Sequence, residues 1–167
     1  MSKNEGRATV DLVVTRQIAA PVEAVWEAWR SSDLVRQWWG PIGFTAPVAK
    51  LDFREGGSSL VCMRSAEGHE IYNTWTYRVI KPMERIEFDS RFADPNGEPV
   101  EPSNMGLPPD IPNVVPHVVT FEPAGDGHTT LTVIEHGYVP GPVLEMSRQG
   151  QEQCIDKLAT AVTGTHS

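Results

Sequence analysis

Two residues on candidate strands carry the types needed for acid–base chemistry. In "HTTLTVIEHGY" (128–138), period-two alternation puts Glu135 on the same side as Leu131 and Val133, while His136 points the other way. In "NVVPHVVTFEP" (113–123), His117 shares a face with Val115, Val119 and Phe121. A carboxyl on an apolar face is costly unless paired or protonated, and burial shifts its proton affinity toward general acid–base work. The plainer alternative is that Glu135 sits at the wet end of its strand and His117 makes one structural hydrogen bond. His69, His128 and His166 fall at turns or in the tail and are expected to be solvated. A metal centre needs three or four convergent ligands, and no His, Cys, Asp or Glu spacing here supplies them, so no metal or cofactor is expected. Neither a Gly-x-Ser-x-Gly nucleophile turn nor a GxxxxGK phosphate loop is present.

A second group of residues suits binding. "WWGPIG" (38–43) sets Trp38 and Trp39 side by side at a chain reversal. Either both are a structural plug, or at least one indole contacts a ligand; aromatics supply large apolar area with few rotors. In "IYNTWTYRVI", Asn73, Trp75 and Tyr77 share one face. That mix fits an apolar pocket with a few polar handles, or equally ordinary sheet packing. Tyr77 joins Glu135 and His117 as a candidate for acid–base work. Arg64 and Arg91 are expected on outward strand faces.

The elements that must hold these residues follow from periodicity and turn chemistry. "ATVDLVVTRQI" (8–18) reads as a strand. "APVEAVWEAWR" (20–30) has Val22, Val25, Trp26 and Trp29 at helical spacing, with Pro21 suited to a first turn. "SSDLVRQWW" (31–39) reads as a second short helix capped by Ser31 or Ser32 and stopped by Gly40-Pro41. Four strands are expected at 44–53, 58–66, 70–81 and 84–93, with short turns between them that dictate antiparallel hairpins. Residues 94–112 hold six prolines and little that could form a ladder, which fits either a functional flap or a mobile loop. Strands at 113–123 and 128–138 follow, and Pro116 points to an edge or a bulge. The segment 143–162 spaces Val143, Leu144, Met146, Gln151, Cys154, Ile155, Leu158 and Val162 as one amphipathic helix, weakest at Gly150. The order β-α-α-β6-α predicts an α+β domain in which one long C-terminal helix covers a curled, seven-stranded antiparallel sheet. One helix is too narrow to cover such a sheet, so apolar space remains for the short helices or for a cavity.

The 167 residues suit one domain, and the net charge of −8 without any Lys/Arg cluster argues against nucleic acid and anionic membranes as partners. No apolar run approaches a membrane span and the start lacks a signal-peptide pattern, so a cytoplasmic protein is expected. Cys62 and Cys154 are far apart and are expected to be small buried apolar residues. Exposed strand edges or the Pro-rich segment offer a route to a homodimer.

The chain resembles the AHSA1-type (Hsp90-ATPase-activator-like) branch of the START/Bet v 1-like, or SRPBCC, superfamily. The resemblance is carried by Pro21-Val22-Glu23-Ala24-Val25-Trp26, Trp38-Trp39-Gly40-Pro41, Arg54-Glu55-Gly56-Gly57, the Pro82 to Ile86 turn and the Gly127 to Thr132 hairpin. It spans residues 8–162 and implies a helix-grip fold with an apolar pocket between sheet and helix. Relatives usually carry Gly-Trp early in the last helix, where this chain has Gly150-Gln151. The expectation is a hydrophobic small molecule held by Trp38, Trp39, Asn73, Trp75, Tyr77, His117, Glu135 and Met146. The alternatives are an enzyme working on such a molecule in the same pocket, or a co-chaperone-like module that binds an Hsp90-type ATPase.

Overall fold

The computed structural model describes residues 8–164, so His166 lies outside the described residues. The elements run β1 (Val10–Ile18), α1 (Val22–Arg30), α2 (Ser32–Trp38), β2 (Thr45–Lys50), β3 (Ser58–Arg64), β4 (Glu70–Lys81), β5 (Arg85–Ala93), a 3-10 turn (Pro102–Met105), β6 (Val114–Pro123), β7 (Thr129–Tyr138) and α3 (Pro142–Thr163). All strand pairings are antiparallel, in one sheet ordered β1-β7-β6-β5-β4-β3-β2. The sheet is not closed. It curls around α3 in the helix-grip arrangement that the family resemblance implied.

Local chemistry sets the boundaries. Pro21 is the N-cap of α1 rather than part of its first turn. The Ser31 hydroxyl accepts from Leu34 N–H at 3.3 Å and caps α2. Gly40 then reverses the chain at φ +102°, where a side chain would be strained and would also press on Phe44 and Met63. Lys157 of α3 donates to the Gly40 and Phe44 carbonyls (2.9 and 3.4 Å), and Ile42 N–H donates to Gln153, so α3 holds this reversal in place.

Three expectations need correction. β2 ends at Lys50 instead of reaching residue 53, because Asp52 N–H turns to the Ser59 hydroxyl rather than to a ladder partner. Pro116 lies in a strand flanked on both sides, not at a sheet edge. Its pairing with β7, however, begins only at His117, so at Pro116 the β7 side needs no donor. The Pro-rich segment is not without structure: Ala93 bridges to Pro99, Val100 N–H donates to the Phe92 carbonyl, and the 3-10 turn follows.

The core fills one end of the concave face. Trp26, Trp29, Trp38, Trp75, Phe88 and Phe121 are buried there with Ile155 and Leu158 of α3. Trp29–Trp38 at 4.7 Å and Trp75–Phe88 at 5.2 Å belong to one ring cluster, and Phe53 and Tyr77 link it to the Trp26–Phe121 pair at 5.1 Å. Cys62 and Cys154 are free and buried, as expected. Among the described residues, no helix is long and apolar enough to cross a membrane.

Candidate functional site

The other end of the same concave face is hollow. A cavity of about 280 Å³ lies between the first half of α3 and the inward faces of β3 to β7. Each long strand passes from core to cavity along its length. On β4, Tyr77 and Trp75 are core and Asn73 and Ile71 line the cavity; on β5, Phe88 gives way to Ser90 and Phe92. On β6 the change comes between Val119 and His117, and on β7 between Val133 and Glu135. Leu107 and Ile111 of the Pro-rich segment form part of the wall, as do Trp39 and Pro41 of the reversal. Met146, 56% exposed, stands on the rim.

The tryptophan pair divides between the two ends. Trp38 is fully buried, and its Nε1–H donates to the Ala28 carbonyl at 2.8 Å. Trp39 sits edge-on to Trp75 at 5.1 Å and lines the cavity. Among the expected ligand-contacting residues, Trp39, Asn73, His117, Glu135 and Met146 meet at the cavity. Trp38, Trp75 and Tyr77 do not line it. Trp38 and Trp75 belong to the aromatic core. The Tyr77 hydroxyl is spent on Ser59 at 2.7 Å, and burial pushes it up to about 12, so it stays a neutral structural group.

The cavity has one polar end. His117 and Glu135 are direct cross-strand partners in the β6–β7 ladder. The Glu135 carboxyl accepts from the Tyr138 hydroxyl at 2.8 Å and from Gln151 Nε2 at 2.6 Å. His117 stacks on Phe88 with centroids 4.6 Å apart, and its Nδ1 lies 2.9 Å from the Val115 carbonyl. A carbonyl only accepts, so Nδ1 carries a proton and Nε2 is the variable atom. Nε2 lies 3.7 Å from Glu135 Oε1, beyond hydrogen-bond length. Burial, reinforced by the nearby Glu135, drives the Tyr138 phenol well above its ordinary range. Burial also pushes the Cys154 thiol, another wall group, up to about 12.

Sequence reasoning missed Ser90, Phe92, Leu107, Ile111, Tyr138 and the polar role of Gln151. Tyr138 is instructive. Strict alternation from Glu135 would turn Gly137 inward and Tyr138 outward, yet Tyr138 is buried and Gly137 exposed. The β1–β7 register shifts between Val10 and Leu12, and Gly137 adopts φ +95°. The irregularity brings Glu135 and Tyr138 to the same side. Gly137 was the one available signal.

Elsewhere, His69 and His128 are exposed, Arg64 pairs with Glu70 on the surface, and Arg91 is exposed. His136 faces Asp11 at 2.7 Å on the outer side. Among the described residues, no group of three or more His, Cys, Asp or Glu is placed to hold a metal ion.

Solved structures of the same fold are numerous. A Chromobacterium violaceum protein is 24% identical over 92% of this chain and 96% of its own, with a TM-score of 0.73. A Nitrosomonas europaea protein is 22% identical over 93% and 95%, with a TM-score of 0.74. The AHSA1 protein of Silicibacter pomeroyi is 21% identical over 94% and 100%, with a TM-score of 0.72. At these identities the likeness shows the fold alone. No curated protein matches the chain. Residues 19–163 match the family described as activator of Hsp90 ATPase homolog 1-like protein, and the match spans most of the chain. With the helix-grip fold and the sequence match in agreement, the chain belongs to the AHSA1 family of the SRPBCC superfamily.

Proposed function

We propose that this protein binds a small, mostly apolar molecule in the cavity between the sheet and α3. The observation that carries this reading is the combination of a largely apolar hollow with a buried, hydrogen-bonded carboxyl at one end. Ligand sites combine apolar walls with a few placed polar groups in this way. Size narrows the class. A dry cavity of roughly 150 Å³ takes up benzene, so a volume of about 280 Å³ suits one or two rings better than a long acyl chain. The test is a thermal-shift and tryptophan-fluorescence screen of one- and two-ring compounds, run on the unmodified protein and on Gly150→Phe. Gly150 lines the cavity, and an added Cβ there meets nothing within 4 Å. Binding to the unmodified protein that is lost in Gly150→Phe supports the proposal. Binding that survives the blocked cavity, or no response across a broad panel, refutes it.

A second reading is acid–base catalysis on the bound molecule. It is favoured by His117, whose Nδ1–H is fixed on Val115 so that Nε2 is free to exchange a proton beside Glu135. If Glu135→Gln and His117→Ala left a detected turnover unchanged, this reading would be wrong.

A further inference from the structure

Among the described residues, the ionisable groups on the cavity wall are Glu135, His117, Tyr138 and Cys154, with no lysine or arginine. Tyr138 and Cys154 are protonated at neutral pH, and burial moves both still further from ionisation. Charge at the polar end therefore rests on Glu135 and His117. Glu135 is only 6% exposed, and its hydrogen-bond donors, Tyr138 and Gln151, are both uncharged. Among the described residues, the side chain able to carry positive charge that pairs with it is His117, and its Nε2 stands off at 3.7 Å. The Gln151 amide turns its Nε2 to Glu135. Its Oε1, on a residue 7% exposed, is buried with no hydrogen-bond partner. Carboxylate oxygens and, when neutral, an imidazole nitrogen thus gather at one place, with the unpartnered Gln151 oxygen buried behind them. This end is rich in acceptors, and a buried carboxylate gains most from a charged donor.

We infer that the ligand class of this cavity is an amphipathic amine: a compact aromatic or alicyclic ring bearing a protonated amino group that pairs with Glu135. The inference rests on the proposal that the cavity binds a ligand at all. An ammonium offers several N–H donors around one point charge, so it can serve Glu135 Oε1 and His117 Nε2 together across their 3.7 Å separation. A hydroxyl offers one donor and no charge, and a carboxylate meets like charge. The ring would lie against the apolar wall that includes Trp39 and Phe92. The net charge of −8 draws cations toward the protein rather than away from it.

The test is calorimetric titration near neutral pH with four probes that share a ring: phenethylamine, phenethyl alcohol, hydrocinnamate and ethylbenzene. The amine should bind at least roughly tenfold tighter than the alcohol, as a charge-assisted contact requires, and hydrocinnamate should bind weakest. In Glu135→Gln, with its fold checked by circular dichroism, amine and alcohol should bind alike. If that variant does not fold, the probe series on the unmodified protein decides alone. The inference is overturned if ethylbenzene or hydrocinnamate matches the amine, or if the preference survives Glu135→Gln. Ethylbenzene binding without any preference for the amine removes this inference and leaves the cavity reading standing. Failure of all four probes removes this inference, and the cavity reading is then decided by the one- and two-ring screen.

Discussion

The inward faces of β4, β5, β6 and β7 each have two ends, and the same strands build a solid core at one and a hollow at the other. At the packed end, α1 and α2 press Trp26, Trp29 and Trp38 onto Trp75, Phe88 and Phe121. At the hollow end, those helices are replaced by the first half of α3 and the Pro-rich segment, and the facing residues include Asn73, Ser90, Ser147 and Gly150. The difference lies in what covers the sheet. Large indoles from two short helices fill the space; small and polar side chains under an irregular cover leave it open.

The largest expected effect tests that division at the adjacent tryptophans. Trp38→Ala empties a fully buried site and strands the Ala28 carbonyl, and should cost about 3–5 kcal/mol in urea denaturation. Trp39→Ala should cost clearly less, because part of its ring already borders open volume, while weakening ligand uptake. If Trp39→Ala is the more destabilising of the two, the comparison fails.

Alkaline pH gives the next effect. The folded Cys154 thiol is raised from 9.0 to about 12, so the unfolded chain loses this proton first. Stability should be full below pH 9 and fall as pH rises toward 12, by at most about 1.4 kcal/mol per pH unit from this group. Cys154→Ala should make the decline shallower. An unchanged slope would mean that the thiol is not held protonated.

Tyr138→Phe keeps the ring and removes one donor to Glu135. It should cost about 1–2 kcal/mol, read from thermal or urea unfolding. No loss would show that the hollow end is wet enough to replace the bond with water. The smallest effect is a gain. Gly150 sits within α3 facing open space, so Gly150→Ala should stabilise by about 0.5–1 kcal/mol. A loss would mean that the space at Gly150 is not empty.

Much of the fold was legible because turn chemistry and periodicity are local. Ser31 announced α2, the short turns imposed an antiparallel meander, and the last helix was marked by its apolar stripe. The site was legible only in part. Alternation correctly put Asn73, Trp75 and Tyr77 on one face, but periodicity gives a face and not a height along the strand. Height decides that Asn73 meets the cavity while Trp75 and Tyr77 meet the core. His117 and Glu135 stood out because polar groups on apolar stripes are conspicuous. Tyr138 did not, because a register shift reversed its side. Leu107 and Ile111 reach the wall from a segment with no period to read.

Whether the hollow end receives a ligand and the packed end does not can be read at the two adjacent indoles. In nitrogen–proton correlation spectra of a titration with a one-ring compound, saturable shifts are expected at the Trp39 side-chain N–H and the Gly150 and Val115 amides. The Trp38 side-chain N–H, held on Ala28, should stay nearly still. Saturable shifts centred on Trp38 and Trp29, with Trp39 and Gly150 unmoved, would contradict ligand uptake at the hollow end.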